Sequence, residues 1–168
     1  MKITRILAAC LMAGAATVSA MAADPYLPVR FVTPGPVIAG SADMSQLPAD
    51  AVKYLDKYFS GVKAMEIDRE YLAGKYDVQM ADGTEIDFDS KGKVVEIDAP
   101  DGYALDVTLL RSILPADAVK FLEKNRQACM VEKVERKRST YEVDLADRDE
   151  TQLRFDHRGK LLGITYDD

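Results

Sequence analysis

Residues 76–97 read YDVQMADGTEIDFDSKGKVVEI, and residues 141–164 read YEVDLADRDETQLRFDHRGKLLGI. In both stretches apolar and polar residues alternate, and turn formers such as Asp82-Gly83, Lys91-Gly92 and Arg158-Gly159 interrupt the alternation. Period-two alternation broken in this way is the pattern of antiparallel strands joined by tight loops. Tyr76, Val78, Met80, Ile86, Phe88, Val95 and Ile97 fall on one face of the first stretch. Tyr141, Val143, Leu145, Leu153, Phe155, Leu162 and Ile164 do so in the second, joined by Val134. Residues 62–70 and 129–136 supply a less regular strand ahead of each, with Met65 and Ile67 facing inward in the first copy. The Asp82-Gly83 pair predicts a two-residue type I′ hairpin turn.

A second echo stands upstream. Leu47-Pro48-Ala49-Asp50-Ala51-Val52-Lys53-Tyr54-Leu55 is matched 67 positions later by Leu114-Pro115-Ala116-Asp117-Ala118-Val119-Lys120-Phe121-Leu122. Phe88/Phe155, Gly92/Gly159 and Ile97/Ile164 keep the same spacing. Ala51, Val52, Leu55, Tyr58 and Phe59 recur every three or four residues, as do Ala118, Val119, Phe121 and Leu122, with Asn125 at the end. Each set predicts a helix with one apolar stripe turned to a core. Proline is tolerated in the first turn, where its missing N–H would be unpaired, and Ser45 or Gln46 is placed to cap. Gly61 ends the first helix.

The sequence therefore predicts an α+β fold of two tandem units. Each is a helix followed by a four-stranded antiparallel meander, with the two sheets side by side and helices on one face. The expected divisions are 1–22, 23–44, 45–99 and 100–168. Residues 103–110 leave two possibilities, an extended crossover or a short helix before Ser112.

Lys2 and Arg5 precede an apolar run at 6–18, and Ala20-Met21-Ala22 supplies small residues for cleavage. That is a secretory signal peptide, cut after Ala22 with Ala20 and Ala23 as neighbouring alternatives. The run is shorter than the roughly 20 residues that span a bilayer. Leu7-Ala8-Ala9-Cys10 offers a rival, lipid attachment at Cys10, but a lipobox closes an apolar run and this one continues past the cysteine. Without residues 1–22 the formal charge falls from −6 to −8. An acidic chain with no basic stripe argues against nucleic acid and anionic membranes as partners. The exported chain keeps only Cys129, so no internal disulfide can form. Cys129 is expected to begin a strand with its sulfur buried. The prolines of residues 24–46 exclude a helix and allow at most a short edge strand at 29–32.

The paired Leu-Pro-x-x-Ala-x-x-(Tyr/Phe)-Leu openings, with Tyr-x-Val-x-(Met/Leu)-x-Asp and Phe-Asp-x-x-Gly-Lys, resemble the PepSY-like domains of exported proteins from Bacteroides-type bacteria. That family is in turn similar to β-lactamase-inhibitor-like folds. The resemblance spans residues 45–168, and the second copy departs from it where Ala146-Asp147-Arg148-Asp149-Glu150 replaces Ala81-Asp82-Gly83. It implies a protein-binding role and brings no catalytic residues. Shared architecture does not carry a β-lactamase target with it.

The residues themselves offer little chemistry. His157 sits in the turn Asp156-His157-Arg158-Gly159, where the first copy has Ser90, and reads as an exposed turn residue. One histidine and one cysteine make no zinc cluster. Asp87-Phe88-Asp89-Ser90-Lys91-Gly92, with Asp98 at the twelfth place, grazes a calcium loop, but Lys91 puts a cation where a ligand is wanted. Asp147, Asp149 and Glu150 read as a solvated loop. No enzyme activity, cofactor or metal is expected.

With helices covering one sheet face, the other faces water and becomes the candidate partner-binding surface. That face carries Asp77, Gln79, Glu85, Asp87, Glu96 and Asp98 in the first copy and Lys133, Glu135, Glu142, Asp144, Gln152 and Arg154 in the second, with Asp77, Gln79, Glu85, Asp87, Glu142, Asp144 and Arg154 as the candidate contacts. Tyr71 and Tyr103 are expected at its rim, since tyrosine gives large contact area at low ordering cost. The expected function is an exported, periplasmic or secreted module that binds another protein, including inhibition of a protease or other hydrolase. The alternatives are a structural envelope module and a small-ligand or cation carrier.

Overall fold

The computed structural model describes residues 30–31, 42–70 and 74–166. The signal peptide, Cys10 and Tyr71 lie outside the described residues. The elements in chain order are β1 (Arg30–Phe31), a 3₁₀ turn (Met44–Gln46), α1 (Ala49–Tyr58), β2 (Ala64–Glu70), β3 (Lys75–Met80), β4 (Glu85–Phe88) and β5 (Val94–Asp98). Then come β6 (Tyr103–Ala104), α2 (Val107–Ile113), α3 (Ala116–Lys124), β7 (Val131–Arg136), β8 (Thr140–Leu145), β9 (Gln152–Asp156) and β10 (Leu161–Thr165).

The expectation of two separate sheets set side by side is corrected. β5 pairs antiparallel with β7 through Ile97↔Val134, so one continuous eight-stranded sheet runs β10-β9-β8-β7-β5-β4-β3-β2. An unpaired β5 edge would leave a row of unmet N–H and C=O groups, and β7 fills it. The register shows why the sheet stays whole. Ile67, Val78, Ile86, Ile97, Val134, Val143, Leu153 and Ile164 stand opposite one another in turn, one per strand, as an aliphatic row across all eight. The six central members are fully buried. Each such side chain contributes about 1.5–3 kcal/mol by leaving water.

α1 and α3 lie on that face. Tyr54 of α1 meets Phe88 edge-on with ring centroids 5.8 Å apart, and Phe121 of α3 meets Phe155 in the same way at 5.6 Å. α2 is a third helix, and it resolves the ambiguity at 103–110 in both directions. Tyr103–Ala104 is a short strand, parallel to β1, and the helix follows with Asp106 capping Thr108 N at 2.7 Å. Ser112 sits inside α2 and does not open α3; its hydroxyl lies 2.7 Å from the Tyr54 hydroxyl and ties α2 to α1. Neither α1 nor α3 has a side-chain cap, and Asp43 caps the 3₁₀ turn in place of Ser45 or Gln46.

Three local expectations also change. The Asp82-Gly83 turn is not type I′: only Gly83 has positive φ, and Gly83 N bonds Met80 O across a three-residue loop. Bulges shift the alternation, so Met65 is exposed while Ala64 is buried, and Val94 takes the buried place expected of Val95. Cys129 lies in the turn before β7, half-buried, and starts no strand; Asn125 is exposed at the end of α3.

Candidate protein-binding face

The face away from the helices carries polar residues in the same strand-by-strand register. Asp68, Asp77, Asp87, Glu96, Glu135 and Glu142 stand opposite one another on six adjacent strands, and Arg154 follows on the next. Neighbouring strands lie about 4.8 Å apart, so this is a ladder of six carboxylates. Like charges directly opposite destabilise a sheet. Lysines offset part of the repulsion. Lys75 lies 3.6 Å from Asp87, Lys133 bridges Glu96 and Asp98, and Lys137 bridges Glu135 and Glu142. Among the described residues, Asp68 and Asp77 have no ion-pair partner.

The next row runs Glu66, Gln79, Glu85, Asp98, Lys133, Asp144, Gln152 and Thr165. Asp77, Gln79, Glu85, Asp87, Glu142, Asp144 and Arg154 thus share one continuous surface. Tyr103 is half-buried in the two-stranded sheet, apart from these rows. The sequence placed Glu96 and Glu135 on this face but not Asp68, and it did not align them into one ladder, because pairing across β5–β7 sets that alignment. At one end, Glu132, Asp144, Asp147 and Glu150 join Gln152, Thr165 and Tyr166 around a depression of about 550 Å³.

Crowding leaves its mark on the carboxyls. Burial, then the Asp77 and Glu96 charges, pushes Asp87 from 3.8 up to about 6. Burial followed by Asp68, Glu70 and Glu96 raises Asp77, and burial followed by Asp98, Asp144 and Glu150 raises Glu132. A carboxyl raised on folding favours the protonated native state. Its stabilising effect is full below the unfolded value of 3.8 and is lost as pH rises through about 6. The Asp87→Asn variant should therefore melt higher than the parent at neutral pH and show a flatter dependence between pH 3.8 and about 6. Thermal melts across that range check it; parallel profiles would show that Asp87 does not carry the effect.

The acidic calcium-like loop is the β4–β5 hairpin. Asp89 Oδ1 accepts from Lys91 N at 2.9 Å and Lys93 N at 3.0 Å, and Phe88 is fully buried. Among the described residues no group of three or more His, Cys, Asp or Glu is placed to hold a metal ion. His157 is exposed. None of the helices described is long and apolar enough to cross a membrane.

The profile of the family described as "Putative beta-lactamase-inhibitor-like, PepSY-like" matches residues 39–96 and again residues 74–163. Among solved structures, the chain is similar to a "putative periplasmic protein of unknown function" from Bacteroides vulgatus. The two are 29% identical over 74% of this chain and 96% of that one, with a TM-score of 0.61. It is also similar to a "putative calcium-regulated periplasmic protein" from Bacteroides thetaiotaomicron, 27% identical over 75% and 95%, with a TM-score of 0.62. No curated protein matches the sequence. The periplasmic relatives support an exported location, and the inhibitor-like family supports a non-enzymatic, protein-interacting role. With two matches that together run from residue 39 to residue 163, this chain belongs to the PepSY-like, β-lactamase-inhibitor-like family, a family of non-catalytic modules.

Proposed function

We propose that this chain is an exported inhibitor-like module whose uncovered sheet face docks a protein with a basic surface and occludes its working cleft. The observation that carries the reading is the ladder of six carboxylates on the sheet face turned away from the described helices. A partner's lysines and arginines would relieve the repulsion that the isolated sheet must tolerate, and such complementarity speeds encounter and fixes register. Asp77, Gln79, Glu85 and Asp87 form the first half of this surface and Glu142, Asp144 and Arg154 the second. The units are residues 45–99 and 100–168. Processing leaves Ala23 as the first residue, ahead of a proline-rich segment to residue 44.

Immobilised protein exposed to periplasmic extract is expected to retain a hydrolase, whose activity falls on mixing. Retention should weaken with salt, and the triple variant Asp77→Lys, Asp87→Lys, Glu142→Lys should lower affinity about tenfold or more. Capture that ignores both salt and charge reversal would remove the face from the reading. Capture of envelope components alone, with no activity lost, would favour the structural role. The calcium-regulated relative suggests a direct check on the carrier alternative: a ligand that binds only the native state raises the melting midpoint. A midpoint unmoved by calcium would set that alternative aside.

A further inference from the structure

All four large hydrophobic side chains exposed among the described residues lie on or beside the two outer strands of the sheet, where Ala64 at the start of β2 already accepts from Ala42 N at 2.8 Å. Leu162 is 50% exposed, Ile164 41% and Tyr166 62% along β10, while Met65 is 37% exposed on β2. The β5–β7 joint inside the chain shows what these edges fit. At that joint Ile97 stands opposite Val134, Ala99 N donates to Glu132 O at 2.8 Å, and Arg136 Nε donates to Val94 O at 2.9 Å. A second Arg136 nitrogen lies 3.1 Å from Asp89 Oδ2.

β10 repeats β5, and β2 repeats β7, at the 67-residue spacing. β2 and β7 also share a bulge at the same place, between Ala64 and Glu66 and between Val131 and Lys133. Moving the joint by one repeat puts Ile164 opposite Ile67 of a second copy and directs Tyr166 N at Met65 O of that copy. It also brings Arg69 of the second copy to Leu161 O and Asp156. Ile164, Arg69 and Asp156 repeat Ile97, Arg136 and Asp89 of the internal joint, Ile67 and Leu161 are aliphatic like Val134 and Val94, and Tyr166 and Met65 would meet through backbone atoms alone. Asp156 Oδ1 is held by the same two turn N–H groups, from Arg158 and Lys160, that hold Asp89 through Lys91 and Lys93. Arg69 lies over the ring of Tyr76 on β3, 5.3 Å from the centroid, and would turn to the outer side of β2 to make this contact. We propose that β10 of one molecule receives β2 of a second copy, antiparallel, in the register by which β5 receives β7.

Charge favours this pairing. Inside the chain Glu96 faces Glu135, whereas between copies Gly163 would face Asp68 with Arg154 one strand behind. A Cβ at Gly163 would meet nothing within 4 Å, which leaves the guanidinium of Arg154 room to reach across. The aliphatic row would then run without a break from Ile164 into Ile67 of the second copy. Because the two surfaces differ, the contact is heterologous and extends head to tail. It uses the edges of the sheet and takes only Asp68 and Arg154 from the acidic face, leaving Asp77, Asp87, Glu96, Glu135 and Glu142 open.

Sedimentation equilibrium of the purified protein from micromolar to millimolar tests it. The average mass should rise with concentration and pass beyond a dimer. Leu162→Lys with Ile164→Lys should block one edge and Ile67→Lys the other, each weakening self-association about tenfold or more. An equimolar mixture of the two variants should form a discrete dimer, since each retains the edge that the other lacks. A parent that stays monomeric at millimolar concentration overturns the proposal. So does an Ile67→Lys variant that still dimerises, which would mean β10 pairs with itself. Circular dichroism melts check folding, and Asp68→Arg, at an exposed position of β2, replaces Ile67→Lys if that variant unfolds.

Discussion

Replacing Phe155 by alanine is expected to cost about 3–5 kcal/mol of stability. The side chain is fully buried on β9, and its ring meets Phe121 of α3 at 5.6 Å with the planes 72° apart. Removing it loses the transfer energy of the ring and leaves a cavity where α3 sits on the sheet, which rigid neighbours close only in part. A domain of ordinary stability has about 5–15 kcal/mol in all, so the loss is a large share. Urea unfolding should show a much lower midpoint with an unchanged slope. A loss below about 1 kcal/mol would mean that this ring does not fasten the second helix to its strands.

Gly92→Ala is expected to cost about 3 kcal/mol, from two causes of different size. Gly92 has φ +80°, where a side chain costs about 1 kcal/mol. A Cβ there would also lie 2.5 Å from Ala51 N at the start of α1 and 3.1 Å from Pro48 Cβ. Backbone cannot yield as a flexible side chain can, so hairpin or helix must move, at about 1–3 kcal/mol more. Gly102 separates the two causes: its φ is +76°, yet a Cβ there would touch nothing within 4 Å. Gly102→Ala should cost about 1 kcal/mol only. Equal losses at the two sites would show that the helix start is not held by the hairpin. A Cβ at Gly159 would likewise lie 2.5 Å from Ala118 N, so Gly159→Ala should behave like Gly92→Ala.

Those contacts mark how much the sequence discloses. The echo of Leu47-Pro48 at Leu114-Pro115 and the spacing of Phe88 and Phe155 are local patterns, and the helices and strands they predict are present. Joining the halves is a different matter. Ile97 and Val134 read as inward residues of separate units, and nothing near either says that they face each other. The sheet is therefore continuous where two were expected. Bulges hide in the same way: Met65 and Val95 keep the alternation on paper, but one extra residue in a strand turns them off the core. Leu162 and Ile164 were expected inside from the alternation of their own stretch, yet β5 has a neighbour on each side and β10 ends the sheet. The candidate face was legible strand by strand through Asp77, Asp87 and Glu142. Its ordering into one row with Glu96 and Glu135 was not, since cross-strand register is a property of the assembled sheet.

The strand order carries a consequence for how the chain comes together. Within the large sheet each strand pairs with its predecessor in sequence, apart from the one step from β5 to β7, which spans β6, α2 and α3. Low contact order of this sort favours rapid local closure. A chain delivered from its amino end can complete β2 to β5 while the second half is still arriving. Throughout that interval the outer margin of β5 stands open, with Ile97 and Asp89 waiting for Val134 and Arg136. The half-made molecule is thus most vulnerable to pairing with a stranger at the seam that the finished one closes for itself.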